Sequence, residues 1–458
     1  MSLLTEFDQK KAPDIGRELY CFAEELFPIC RSITGAGIRQ TLATIQERIP
    51  LQMAEIPTGT PVFDWTIPKE WNIRDAYITS SDGNRVVDFR KNNLHVLNYS
   101  VPIHATMPLS ELRPRLFTDP ERPEWIPYRT SYYQENWGFC LAHNQLLALA
   151  DGNYEVHIDS TLASGHLTYG EYYLRGDISD EVLISCHACH PSLANDNLSG
   201  LAVATFLAHH LSRRHLRYSY RFLFIPGTIG AITWLARNQD AASRIRHGLV
   251  LTGLGDSGGF HYKKSRQGDA EIDQAAMHVV RHSGELSGIL DFSPYGYDER
   301  QYCSPGFNLP VGCLMRSVWG TYPEYHTSAD DLDFILPTKL ADSLRVCTGI
   351  LDVIEHNRRY CNQNPYCEPQ LGKRGLYGST GGQASGDETF AKLWVLNLSD
   401  GDNSLLDIAD RSGLPFSKIS AAAESLRQNG LLSVAPERVD ASVPLRLRDE
   451  NENTLNWS

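Results

Sequence analysis

Between about residues 131 and 357, apolar runs of strand length alternate with amphipathic helical stretches, and this restricts the possible folds more than any other feature of the chain. Strands are expected at "YEVHID", "YGEYYLRG", "EVLISCH", "YRFLFIP", "GLVLTGL" and "PVGCLMRS", and helices over 199–211, 229–238, 270–283 and 338–356. A strand that is apolar on both sides of its pleat must be covered on both faces, and helices between successive strands supply that cover. The pattern therefore predicts an α/β sandwich with a mostly parallel central sheet. In such sheets ligands bind beyond the carboxyl ends of the strands.

The flanks read differently. Ile15, Leu19, Phe22 and Leu26, then Ile38, Leu42, Ile45 and Ile49, recur at helical spacing and predict two opening helices. From 58 to 129 prolines, aromatics and short alternating runs such as "RVVDF" and "LHVLNYS" predict an inserted β-rich domain. The α/β domain is then expected over 1–57 and 130–370. Past the glycine-rich "GKRGLYGSTGGQASGDE", three helical segments and a short "LLSVAP" wing predict a winged-helix domain over 386–448.

Composition narrows the function. The ten cysteines are scattered, and only Cys186 and Cys189 have C-x-x-C spacing, so neither a disulfide framework nor a zinc ribbon is expected. Uncharged runs fall short of the roughly 18 residues that a membrane span needs. The N-terminus lacks a basic-then-apolar layout, and a cytoplasmic location is expected. A net charge of −13 argues against a nucleic-acid backbone and for a small-molecule or peptide partner.

Chemistry concentrates at three places. His190 and Asp196 share the loop between "EVLISCH" and the helix at 199–211, and His326 returns in "EYHTSADDL". Imidazoles and a carboxylate are zinc's preferred ligands, and loops at strand ends allow them to converge. Asp196 also suits a helix N-terminus, where aspartate is an ordinary cap. His187 reads as a ligand, as a partner that orients one, or as a polar strand end. Cys189 reads first as a packed thiol.

"CHPSLANDNLSG", "GYDERQYCSPGFNLP" and "YPEYHTSADDLDFI" resemble the zinc aminopeptidase and glutamate-carboxypeptidase superfamily. More closely, the whole chain is similar to aminopeptidase-like proteins with an inserted β domain and a winged-helix tail, met among polysaccharide-biosynthesis genes. The resemblance implies that His190 or His187, with Asp196 as a potential bridging carboxylate, supplies the first metal ligands and His326 the last. Asp256 lies near the place of a further carboxylate ligand. Where the superfamily carries a Glu-Glu pair, this chain has Gly227 and Thr228. The loss of one acid removes a metal ligand and the loss of the other removes the base, so a single zinc ion is expected.

A replacement base is sought in "GYDERQYCSPG", with Glu299 as candidate and Glu324 behind it. Arg300 is expected to clamp a carboxylate or phosphate, and Tyr325 to donate to an oxyanion. Lys263, Lys264 and Arg266 form a basic run that either meets an anion or flanks a turn. Between 387 and 436 the tail carries four basic residues against seven acidic ones, so it reads as a packing or oligomerisation module. The function expected is zinc-dependent hydrolysis of an amide in a peptide or small acylated amine. The alternatives are a non-catalytic binding or scaffold protein and a winged-helix regulator.

Overall fold

The computed structural model describes residues 2–6, 12–376 and 386–436, which divide into two compact units at His356/Asn357. The first is built on an eight-stranded sheet. In spatial order its strands are Gln52–Pro57, His166–Leu174, Ser219–Ile225, Glu181–His187, Ile245–Leu251, Val311–Met315, Phe260–Lys263 and Ser287–Leu290. The central four run parallel, and antiparallel pairings flank them. Every residue of Glu181–His187, Ser219–Ile225 and Val311–Met315 is buried, which is why these strands read as largely apolar runs, and the charges they do carry, Glu181 and Arg221, pair with each other at 2.7 Å. Helix Pro337–His356 packs on Ala12–Leu26, Gly200–Leu211 and Glu271–Arg281. No helix among the described residues is long and apolar enough to cross a membrane.

"YEVHID" is a correction. It lies in strand Asn153–Ala163, which pairs with Glu70–Thr79 and Ile103–Pro108 in a separate four-stranded sheet. Its side chains alternate between buried and half-buried along most of its length, the period of a strand covered on one face, so it belongs with the inserted β segment and not with the parallel core. The insertion therefore reaches beyond residue 129, and it forms one compact unit with the α/β layer.

The boundary at 370 also moves. Strand Arg359–Asn362 pairs with Asp400–Ser404 and Leu432–Val434, so the tail unit begins before its glycine-rich stretch. Its helices are Asp387–Leu398, Leu405–Ser412 and Phe416–Gln428, and the expected wing strand is Leu432–Val434. Residues 377–385 of the glycine-rich stretch and 437–448 of the expected domain lie outside the described residues. Helix Leu405–Ser412 has a capping box: the Ser404 hydroxyl accepts from the Asp407 N–H, and the Asp407 carboxylate accepts from the Ser404 N–H. Gly413, with φ of 70°, takes the left-handed turn that ends the helix. Ser404→Ala is expected to cost ~1 kcal/mol, read as roughly fivefold faster amide exchange within this helix alone.

Candidate metal centre

The fully buried strand Glu181–His187 carries His187 to its carboxyl end, and the chain turns through residues 188–199 into helix Gly200–Leu211. Three imidazoles converge there on one carboxylate. His187 Nε2 lies 2.9 Å from Asp196 Oδ1, His326 Nε2 lies 3.0 Å from Asp196 Oδ2, and His190 Nδ1 lies 3.5 Å from the same oxygen. His187 Nε2 and His190 Nδ1 are 3.2 Å apart. Asp196 has no capping role, because the residue that opens the helix is Ser199.

The loop is held from several directions. The backbone N–H groups of Asn195 and Asp196 donate to the Asp330 carboxyl at 2.5 and 3.0 Å. The Asn197 amide donates to the Leu251 carbonyl at 3.0 Å, tying the loop to the end of the neighbouring strand. Arg31 Nε donates to the His190 carbonyl at 3.0 Å. The His326 carbonyl accepts from the Tyr128 N–H at 2.8 Å, and the Tyr128 ring meets His190 and His326 edge-on, so the inserted segment braces the distant histidine.

Burial alone would push Asp196 up, but the charge of His190 and the bonds to three imidazoles outweigh it and hold the carboxyl well below the usual range. Burial lowers His326 despite its bond to Asp196. The Tyr297 hydroxyl lies 2.9 and 2.8 Å from the two Asp196 oxygens, and the Tyr325 hydroxyl lies 2.8 Å from that of Tyr297. Burial and the Asp196 charge raise both phenols, so they stay protonated and act as donors.

The donor set fits a zinc ion. The ligand atoms of His187, His190 and Asp196 all lie within 4.8 Å of one another. A tetrahedral ion with bonds of about 2.0–2.1 Å separates its ligand atoms by roughly 3.3–3.4 Å. His187 Nε2 lies 3.2 Å from His190 Nδ1 and 2.9 Å from Asp196 Oδ1, close to that value, and His190 Nδ1 reaches the other Asp196 oxygen at 3.5 Å.

Of the residues singled out in the sequence, His187, His190, Asp196 and His326 come together, and Tyr325 and Arg300 line the pocket above them or its walls. Asp256 is a correction. Its oxygens accept from the Asn195 amide at 2.9 Å, the Ser317 hydroxyl at 2.6 Å and the Gly258 N–H at 2.7 Å, so it anchors the loop from behind. Glu299 is a second correction, being buried and paired at 2.8 Å with the equally buried Lys263. The basic run is consumed likewise: Lys264 pairs with Asp291, and Arg266 donates to Asn308. Cys189 is a buried thiol pushed up to about 12 by burial, which agrees with the packed reading. Gly227 and Thr228 line the pocket, so the positions expected to be acidic adjoin the site without an acid. The sequence by itself does not single out Tyr297, Tyr128 or Asp330. Tyr297 and Asp330 sit inside the motif stretches "GYDERQY" and "SADDL", where composition alone gave no reason to choose them.

A mostly parallel α/β sandwich with a His/Asp cluster at its strand ends defines a class, and comparison with known proteins agrees on the fold. A zinc aminopeptidase from Bacillus subtilis is similar with a TM-score of 0.54 and 12% identity, over 75% of this chain and 94% of that one. A peptidase M28 precursor from Shewanella amazonensis gives 0.51 and 14%, over 76% and 97%. Such identities speak for the fold alone. A crystal structure from Clostridium acetobutylicum, provisionally described as a peptidase, gives a TM-score of 0.89 at 52% identity, over 94% of this chain and 99% of that one. A protein of the same organism, provisionally named for polysaccharide biosynthesis and an aminopeptidase-like domain, is 54% identical over 426 residues, 93% of this chain and 98% of its own length.

Residues 20–357 match the family described as "Domain of unknown function (DUF4910)", and residues 358–434 match a winged helix-turn-helix family. The chain belongs to the DUF4910 family and joins a zinc-aminopeptidase-like fold to a C-terminal winged helix.

Proposed function

We propose that this chain is a zinc-dependent hydrolase that cleaves an amide bond in a peptide or small acylated amine. The observation that carries the reading is the single buried carboxylate of Asp196 shared by His187, His190 and His326 at the carboxyl ends of the parallel strands. One zinc ion held by this set would supply Lewis acidity toward an amide carbonyl and toward water. Tyr325, kept protonated on the pocket wall, would turn the O–H it gives to Tyr297 toward negative charge developing on the carbonyl oxygen. No aspartate or glutamate lines the pocket, and the two imidazoles that do, His187 and His190, are taken up as ligands, so the wall offers no carboxylate base.

The Clostridium relative's name supports a place in polysaccharide biosynthesis. Ten free cysteines support a reducing, cytoplasmic setting. In the tail, helix Phe416–Gln428 pairs Arg427 with its own Glu424 at 2.8 Å, which supports a packing or oligomerisation role. Gel shifts at low salt are accordingly expected to show no salt-dependent DNA affinity.

The test is zinc content together with hydrolysis of a panel of amino-acid amides, N-acetyl amines and N-acyl amino acids. Tyr325→Phe is expected to lower kcat by ~100-fold with KM little changed. The missing acid at Gly227 and Thr228 favours a second reading, a binding protein that holds the metal without turnover. Stoichiometric zinc with no amide hydrolysed would select that reading, and absence of zinc after reloading would remove both.

A further inference from the structure

The pocket beside the cluster encloses about 310 Å³, and its walls carry one permanent cation, Arg300, and no carboxylate. The Arg300 guanidinium makes no hydrogen bond or ion pair with any described residue, and its Nε is withdrawn from solvent. Asp298, whose field it feels, lies outside pairing distance, and burial with the charge of Glu299 pushes that carboxyl well above its usual range. Glu299 itself is held by Lys263. An unpaired guanidinium in a partly desolvated pocket is stabilised by whatever anion enters, and its planar fork suits a carboxylate or phosphate. The same charge repels an ammonium group. A free peptide amino terminus would find no acid on the wall to receive it.

The remaining walls are aromatic. The rings of Trp65 and Tyr133 lie 5.4 Å apart, and these residues stay 46% and 49% exposed. Trp319 and Tyr297 meet edge to face at 5.6 Å on another part of the lining. Half-exposed rings at a pocket mouth offer a face for a flat apolar surface, either an aromatic ring or the C–H face of a sugar.

We propose that the pocket takes an anionic N-acyl compound, its carboxylate or phosphate on Arg300 and its ring against Trp65 and Tyr133, in preference to a free amino terminus. The amide in this substrate rests on the hydrolase reading, whereas the anion rests on Arg300 alone. Binding to the full-length protein as purified, measured by calorimetry irrespective of turnover, separates the two.

The probes are N-acetylphenylalanine, its neutral primary amide, cationic phenylalaninamide, and N-acetylmuramic acid. N-acetylphenylalanine is expected to bind at least tenfold more tightly than its neutral amide, with phenylalaninamide last, and R300Q is expected to bring the acid down to the level of the amide. N-acetylmuramic acid carries the same N-acyl and carboxylate groups on a sugar, and whichever acid binds more tightly identifies the ring. The proposal is overturned if phenylalaninamide binds as tightly as either acid, if neither acid binds at millimolar concentration, or if R300Q leaves the ranking unchanged. The wild-type ranking decides the matter even if R300Q does not fold. Tight binding of an acid that is never hydrolysed would count against the hydrolase reading only.

Discussion

Asp196→Asn is expected to reduce zinc affinity by at least ~100-fold and to abolish any metal-dependent activity. Changing an outer partner of a metal ligand already costs roughly 10–100-fold, and this carboxylate touches all three imidazoles. Asparagine keeps the shape, but it removes the charge and turns an N–H₂ toward a ring nitrogen. The Tyr297 hydroxyl, at 2.9 and 2.8 Å from the two carboxylate oxygens, keeps only one good acceptor.

In chelator-treated protein the same variant tests the electrostatics. The folded-state pKa of Asp196 is depressed, so its ionised form contributes stability above the unfolded value of about 3.9, and that stability is lost as pH falls through the folded value. The stability gap between wild type and Asp196→Asn is therefore expected to be full at neutral pH and to close on acidification. A metal affinity within threefold of wild type, measured by competition with a chelator, would remove Asp196 from the ligand set.

The second large effect lies outside the metal cluster. Lys263→Met is expected to destabilise the first unit by ~3–5 kcal/mol, because it leaves the Glu299 carboxylate buried and unpaired. The side chains of Lys263 and Glu299 are 2% and 0% exposed. Lys263 Nζ donates to Glu299 Oε1 at 2.8 Å and to the Tyr295 carbonyl at 2.6 Å, whereas Glu299 Oε2 has no hydrogen-bond partner. The double change to Lys263→Met with Glu299→Leu is expected to recover most of the loss, since replacing both members of a buried pair is often neutral or better. Urea unfolding of the wild type and the two variants measures this. Were Glu299 the catalytic base, Glu299→Gln would abolish turnover while leaving stability intact. The pairing gives the opposite pattern, a large loss of stability with residual turnover in whatever folds.

The parallel core was legible because burial on both faces leaves a simple mark: "EVLISCH" and "YRFLFIP" are mostly apolar, and the structure buries each residue of Glu181–His187 and Ser219–Ile225. The cluster was legible for a related reason, since His187, His190 and Asp196 occupy one strand-to-helix turn and His326 the loop that closes the unit. Long-range pairing was not legible. Glu299 meets a lysine 36 positions earlier and Asp256 an asparagine 61 positions earlier, and nothing in local spacing tells a charge that serves a substrate from one that serves a buried neighbour. "YEVHID" was misplaced because alternation shows that one face is covered without showing by which sheet. The strand Arg359–Asn362 is four residues long and not apolar, so the start of the tail gave no signal until its partners were seen.

The most direct measurement is anomalous diffraction at the zinc edge from crystals of the zinc-reloaded protein. The expected result is one peak bonded to the Asp196 carboxylate and to the nitrogens of His187 and His190, with His326 alongside. A well-occupied protein crystal with no peak there, or with its zinc bound elsewhere, would contradict the assignment of these residues as a metal centre.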